Sequence, residues 1–150
     1  MKLTIELVPK TAWNKNLRSL LSKVEWDELR DIVFENAGHK CEICGGQGNK
    51  WPVECHEIWK YDDDNKIQKL IGCIALCPKC HACKHLGLAM NMGKFEECRL
   101  RLSKINNISL KEVEDYIEQE YWKWRERSKH EWKIELNFGE LKHDNFFKEK

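Results

Sequence analysis

Two C-x2-C turns, Cys41-Glu42-Ile43-Cys44 and Cys77-Pro78-Lys79-Cys80, flank one segment, and no other feature constrains the chain as strongly. A C-x2-C turn brings two thiolates to one edge of a tetrahedron, and a second turn completes it; four sulfurs in that arrangement suit zinc. Gly45-Gly46 lets the backbone turn tightly beneath the first pair. Pro78 places the second pair at a helix start. Cys83 forms a competing C-x2-C with Cys80. Cys77/Cys80 is preferred, because Cys83 would lie one turn into the helix. Cys73 and Cys98, which stand alone, are read as packing residues.

With 8 cysteines and no signal-like apolar run near Met1, the chain reads as intracellular and cytoplasmic, where thiols bind metal rather than pair as disulfides. Its 150 residues, 41% hydrophobic and 34% charged, suit a single domain spanning 1–150. Within it, an amino-terminal strand and helix (1–40) precede the cysteine-bearing core (41–93) and carboxy-terminal helices with a last strand (94–150). No stretch is apolar enough to span a membrane, so no membrane partner is expected. A net charge of +1 assigns any nucleic-acid contact to local patches: Lys10 to Arg18, Lys94 to Lys104, and the tryptophan-interleaved Lys123 to Lys133. Acidic residues are mixed into all three, as on solvated helix faces.

Periodicity fills in the elements. Lys2 to Val8 alternates as a strand would, ending at Pro9. Ser22-x2-Glu25 and Ser109-x2-Glu112 are capping boxes; the first starts a helix to about Asn36 that buries Trp26, Leu29 and Ile32 or Val33 and stops at Gly38. The second starts a helix with Val113, Tyr116, Ile117, Glu120 and Trp124 at near-helical spacing. Strands are expected over 51–59 and 67–76, joined by the acidic turn Asp62-Asp63-Asp64-Asn65. A helix from Pro78 would carry Cys80, His81 and His85; another covers 95–104, and a strand over 132–138 alternates Trp132, Ile134, Leu136 and Phe138. The expected fold class is α+β.

The segment 41–93 resembles the zinc-ribbon-bearing branch of the HNH nuclease family. The resemblance lies in Cys41-x2-Cys44, in the strand residues Cys55-His56-Glu57-Ile58-Trp59, and in Cys77-Pro78-Lys79-Cys80-His81-Ala82-Cys83-Lys84-His85. It implies a ββα-metal core with a two-knuckle structural zinc site, acting on phosphodiester bonds of DNA in preference to RNA. His56 matches the general base, an imidazole whose ordinary pKa lies near neutrality. His81 and His85, four apart, share a helix face and match a pair holding a catalytic divalent ion (magnesium, manganese, nickel or zinc). Lys84 would lie beside them to contact the phosphate backbone.

Two positions depart from the family pattern. Cys55 stands where a His or Asp metal ligand is usual, and a thiolate there favours zinc over magnesium. No Asn occupies 70–76, the nearest being Asn65 in the preceding turn. Glu57 and the three aspartates are further carboxylates, the latter read as a solvated turn. The alternative function is a non-catalytic zinc module of the same fold that binds nucleic acid or a protein partner as inhibitor or adaptor; a purely structural zinc ribbon comes third.

Overall fold

The structure, a computed structural model, describes residues 1–136. Its centre is a hairpin: β1 (Glu54–Asp62) and β2 (Ile67–Leu76) pair antiparallel, and β3 (Lys133–Leu136) joins β2 in parallel, giving the order β1-β2-β3. The hairpin turn is built by its acidic residues. Asp62 Oδ1 accepts the amides of Asp64 at 3.1 Å and Asn65 at 3.0 Å, and Lys66 closes the turn with φ 56°. A register shift follows at Ile58/Trp59, where Ile58 faces Gly72 and Trp59 faces Leu70. The strand expected from Trp51 starts at Glu54, after a bend at Trp51 and Pro52.

Helices cover both faces of the sheet. On one side lie α1 (Leu17–Leu20) and α2 (Lys23–Asn36), whose Leu17, Leu29 and Val33 are buried with Val53, Leu70, Cys73 and Ala75. On the other lie α3 (Pro78–Lys84), α4 (Leu86–Asn91), α5 (Phe95–Asn106) and α6 (Leu110–Arg127), which enclose Leu76, Cys80, Leu86, Leu102 and Val113. Both capping boxes form: Ser22 Oγ accepts the Glu25 amide and Glu25 returns the bond at 2.9 Å, and Ser109 and Glu112 do the same. Gly38 ends the α2 region with φ 62°. The architecture is α+β, with a ββα unit (β1, β2, α3) bearing clustered cysteines and histidines.

The amino-terminal segment departs from expectation. Its alternation is real, since Leu3 and Ile5 are buried in the α3–α6 core while Thr4 and Glu6 turn the other way. It is not a strand, because it meets helices rather than a strand edge. Leu3 N donates to Asn106 Oδ1 at 2.8 Å, Ile5 N to the Tyr116 hydroxyl at 2.9 Å, and Glu6 N to the Lys84 carbonyl at 3.0 Å. The last strand is shorter than expected: Trp132 precedes it, 2% exposed and edge-on to Tyr61, and Phe138 lies outside the described residues. No helix among the described residues is long and apolar enough to cross a membrane.

Candidate metal centres

The sulfurs of Cys41, Cys44, Cys77 and Cys80 all lie within 4.8 Å of one another. Tetrahedral zinc with bonds of about 2.3 Å spaces its sulfurs about 3.8 Å apart. Cys44 Sγ and Cys77 Sγ are 3.7 Å apart, which matches one edge of that tetrahedron. The local backbone explains the fit. The Gly45 amide closes the first turn onto Cys41 O at 2.8 Å with φ 74°, and the Gly46 amide points at Cys44 Sγ at 3.3 Å. Glu42 ties this knuckle to the sheet, its amide to Ala75 O at 2.9 Å and its carboxylate to Ala75 N at 2.7 Å. Cys83, the competing ligand, is fully buried with its thiol toward Lys79 O and Cys98 O, outside the cluster.

The Cys41 pKa is pulled down to about 4, chiefly by its hydrogen bond with Cys80, while burial pushes that of Cys77 up. Thiols bind a divalent ion as thiolates, so metal binding releases whatever protons they hold. Arg101 on α5 adds positive charge from outside, with Nε at 3.3 Å from Cys80 Sγ and Nη2 at 3.6 Å from Cys44 Sγ and 3.7 Å from Cys77 Sγ.

A second group converges on the same face of β1. His56, His81 and His85 bring one ring nitrogen each within 4.8 Å of the others, with ring centroids 4.8–5.2 Å apart. His81 Nε2 and His85 Nε2 are 3.1 Å apart, near the spacing of about 3.3 Å for two imidazoles on one tetrahedral ion. Burial, then repulsion within the trio, lowers both pKa values, His85 to about 3, so both present the neutral imidazole that metals require. His85 is not within the helix that begins at Pro78. That helix ends at Lys84, and His85 is the junction to α4 at φ −100°, ψ 57°, its amide still bonded to His81 O at 3.3 Å.

Three sequence expectations meet different surroundings. Cys55 does not join the histidines: neighbours on a strand point to opposite faces, so Cys55 packs toward Cys73 and α2 while His56 faces α3. Glu57 turns away for the same reason, accepting from Leu17 N at 2.9 Å and Trp59 Nε1 at 3.1 Å. Lys84 is 5% exposed, its ammonium held by Thr4 Oγ1 at 2.7 Å and Glu6 Oε1 at 3.1 Å rather than offered to a phosphate backbone. Four cations of the later basic stretches pair with carboxylates: Arg99 with Glu96 and Glu114, Lys123 with Glu120, Arg127 with Asp63, and Lys129 with Glu126.

The carboxylates around the histidines were not singled out by their spacing. Glu6 Oε2 bonds His56 Nε2, and Glu54 Oε1 lies 3.2 Å from His81 Nδ1. Glu54 was findable, because it shares the His56 face two residues away on β1; Glu6 comes from a segment 50 positions distant. The histidines line a cleft of about 810 Å³ whose walls include Trp13, Trp59, Tyr121 and Trp124. No family model, no curated protein and no solved structure matches the chain.

Proposed function

We propose that the chain is a metal-dependent nuclease of the HNH type that hydrolyses phosphodiester bonds, DNA in preference to RNA. The observation that carries the reading is the convergence of three imidazoles on one wall of an open cleft, apart from the four cysteines. Four sulfurs, three of them buried, that leave no free corner suit an architectural zinc, whereas histidines facing a cleft leave room for a substrate.

His81 and His85 would hold the divalent ion, which when bound supplies charge stabilisation to the phosphate and its leaving oxygen. His56 takes the proton of the attacking water. It is rigidly held for this, 3% exposed and packed edge-on to both other rings. Glu54 accepts from His81 Nδ1 and leaves Nε2 toward the ion. The second reading, a non-catalytic module on the same scaffold, draws on Lys84, the cation beside the histidines, being buried and held by Thr4 and Glu6 instead of facing a nucleic-acid backbone.

The test incubates zinc-loaded protein with plasmid, single-stranded DNA and RNA in magnesium, manganese or nickel. Cleavage that is lost in His56→Ala supports the nuclease. No cleavage in any metal, or equal cleavage by His56→Ala, rejects it in favour of the binding module.

A further inference from the structure

The amino-terminal segment contributes a polar group to the histidine cluster. Leu3 and Ile5 anchor the segment in the core, and its amides are bound by Asn106, Tyr116 and the Lys84 carbonyl, so Glu6 is delivered from a held backbone. Its carboxylate is divided between two partners: Oε1 takes the Lys84 ammonium at 3.1 Å, and Oε2 meets His56 Nε2. Lys84 is buried and also held by Thr4, which fixes the orientation of the carboxylate plane.

We propose that Glu6 is the positioning residue of His56: its carboxylate accepts the Nε2 proton, holds the ring in that tautomer, and leaves Nδ1 as the only free lone pair. The chemistry follows from donor capacity. An ionised carboxylate only accepts, so the nitrogen facing it must carry the proton. Glu6 is held as the carboxylate: burial by itself would raise its pKa, but the hydrogen bond and charge of His56, then the charge of Lys84, outweigh burial and lower it. Glu54 does the same for His81 from β1, so two of the three imidazoles have one nitrogen committed to a carboxylate. The kinetic consequence of this role rests on the nuclease reading; the tautomer does not.

The experiment uses the full chain, 15N-labelled, with zinc in the four-cysteine site and no second metal. Two-bond 15N–1H correlations of the His56 ring report which nitrogen is protonated. The wild type is expected to carry the proton on Nε2. In Glu6→Gln, the Lys84 ammonium keeps the amide oxygen and turns the NH2 group toward His56, so the proton moves to Nδ1. Glu6→Ala, lacking either partner, gives a mixture. In cleavage assays Glu6→Gln lowers kcat on the order of 10–100-fold with KM within about twofold. A wild-type ring protonated on Nδ1 overturns the proposal whether or not any variant folds. So does a folded Glu6→Gln with an unchanged tautomer. If the wild type cleaves nothing, the nuclease reading fails and the tautomer alone decides the role of Glu6.

Discussion

Arg101→Met removes the guanidinium from the four-cysteine site while keeping an apolar stem at that position of α5. Four thiolates and one divalent ion carry a net charge of about −2, and Cys41, Cys77 and Cys80 are all buried, so nearby positive charge is worth more than at a surface. Arg101 makes three approaches, but only Nε to Cys80 Sγ, at 3.3 Å, is short for a sulfur acceptor; those to Cys44 and Cys77 are 3.6 and 3.7 Å. A hydrogen bond to a charged group contributes about 1.5–3 kcal/mol. A direct Coulomb value of about 4 kcal/mol per unit charge at 4 Å sets a ceiling that the partly exposed guanidinium does not reach. At about 1.4 kcal/mol per decade, the zinc dissociation constant should rise about 10–100-fold. Competition against a chromophoric chelator at pH 7 measures it directly. Arg101→Lys should fall between the two, because an ammonium can meet one sulfur but lacks the planar fork. A folded Arg101→Met whose zinc affinity stays within about twofold of the wild type would refute the argument.

Three further outcomes follow from the packing. Cys55→Ala should keep full metal content and cleavage activity, losing about 1 kcal/mol in denaturant unfolding, because its sulfur packs toward Cys73 and not toward the histidines; loss of a metal would restore it as a ligand. Gly48→Ala should cost about 1–3 kcal/mol and weaken zinc retention, since the new Cβ would stand 2.3 Å from Trp51 O and 2.7 Å from Pro78 Cδ beside the second knuckle. Acid should destabilise the chain through His85, whose folded pKa is lowered by burial to about 3 against an unfolded value of about 6.5. In that window the unfolded chain binds the extra proton, so stability falls as pH falls below about 6.5. Urea unfolding at pH 7 and 5.5, without a second metal, should show this slope, and His85→Leu should flatten it.

Features written in a few consecutive residues were legible. The two cysteine turns, both capping boxes and the acidic hairpin turn each complete their bonding within four or five positions, and the structure forms all of them. The alternation of Leu3 and Ile5 correctly marked burial, but alternation cannot say whether an extended segment meets a strand or, as here, side chains of α5 and α6. Cys55 is a different case: its direction was available, because strand neighbours face opposite ways, yet the family pattern placed it beside His56. Glu6, Lys84 and Arg101 were beyond local reading, since their partners lie 50, 78 and 21 positions away, and only the packed chain brings them together.

In the proposed function two metal sites divide the work, sulfur for architecture and imidazole for chemistry. Mass-spectrometric metal analysis of purified chain, equilibrated with zinc and desalted, tests it most directly. About two metal ions are expected per wild-type chain and about one in His81→Ala and in His85→Ala, with the remaining ion lost only when a knuckle cysteine such as Cys77 is replaced. About one ion per chain in the wild type, unchanged by either histidine substitution, would contradict it.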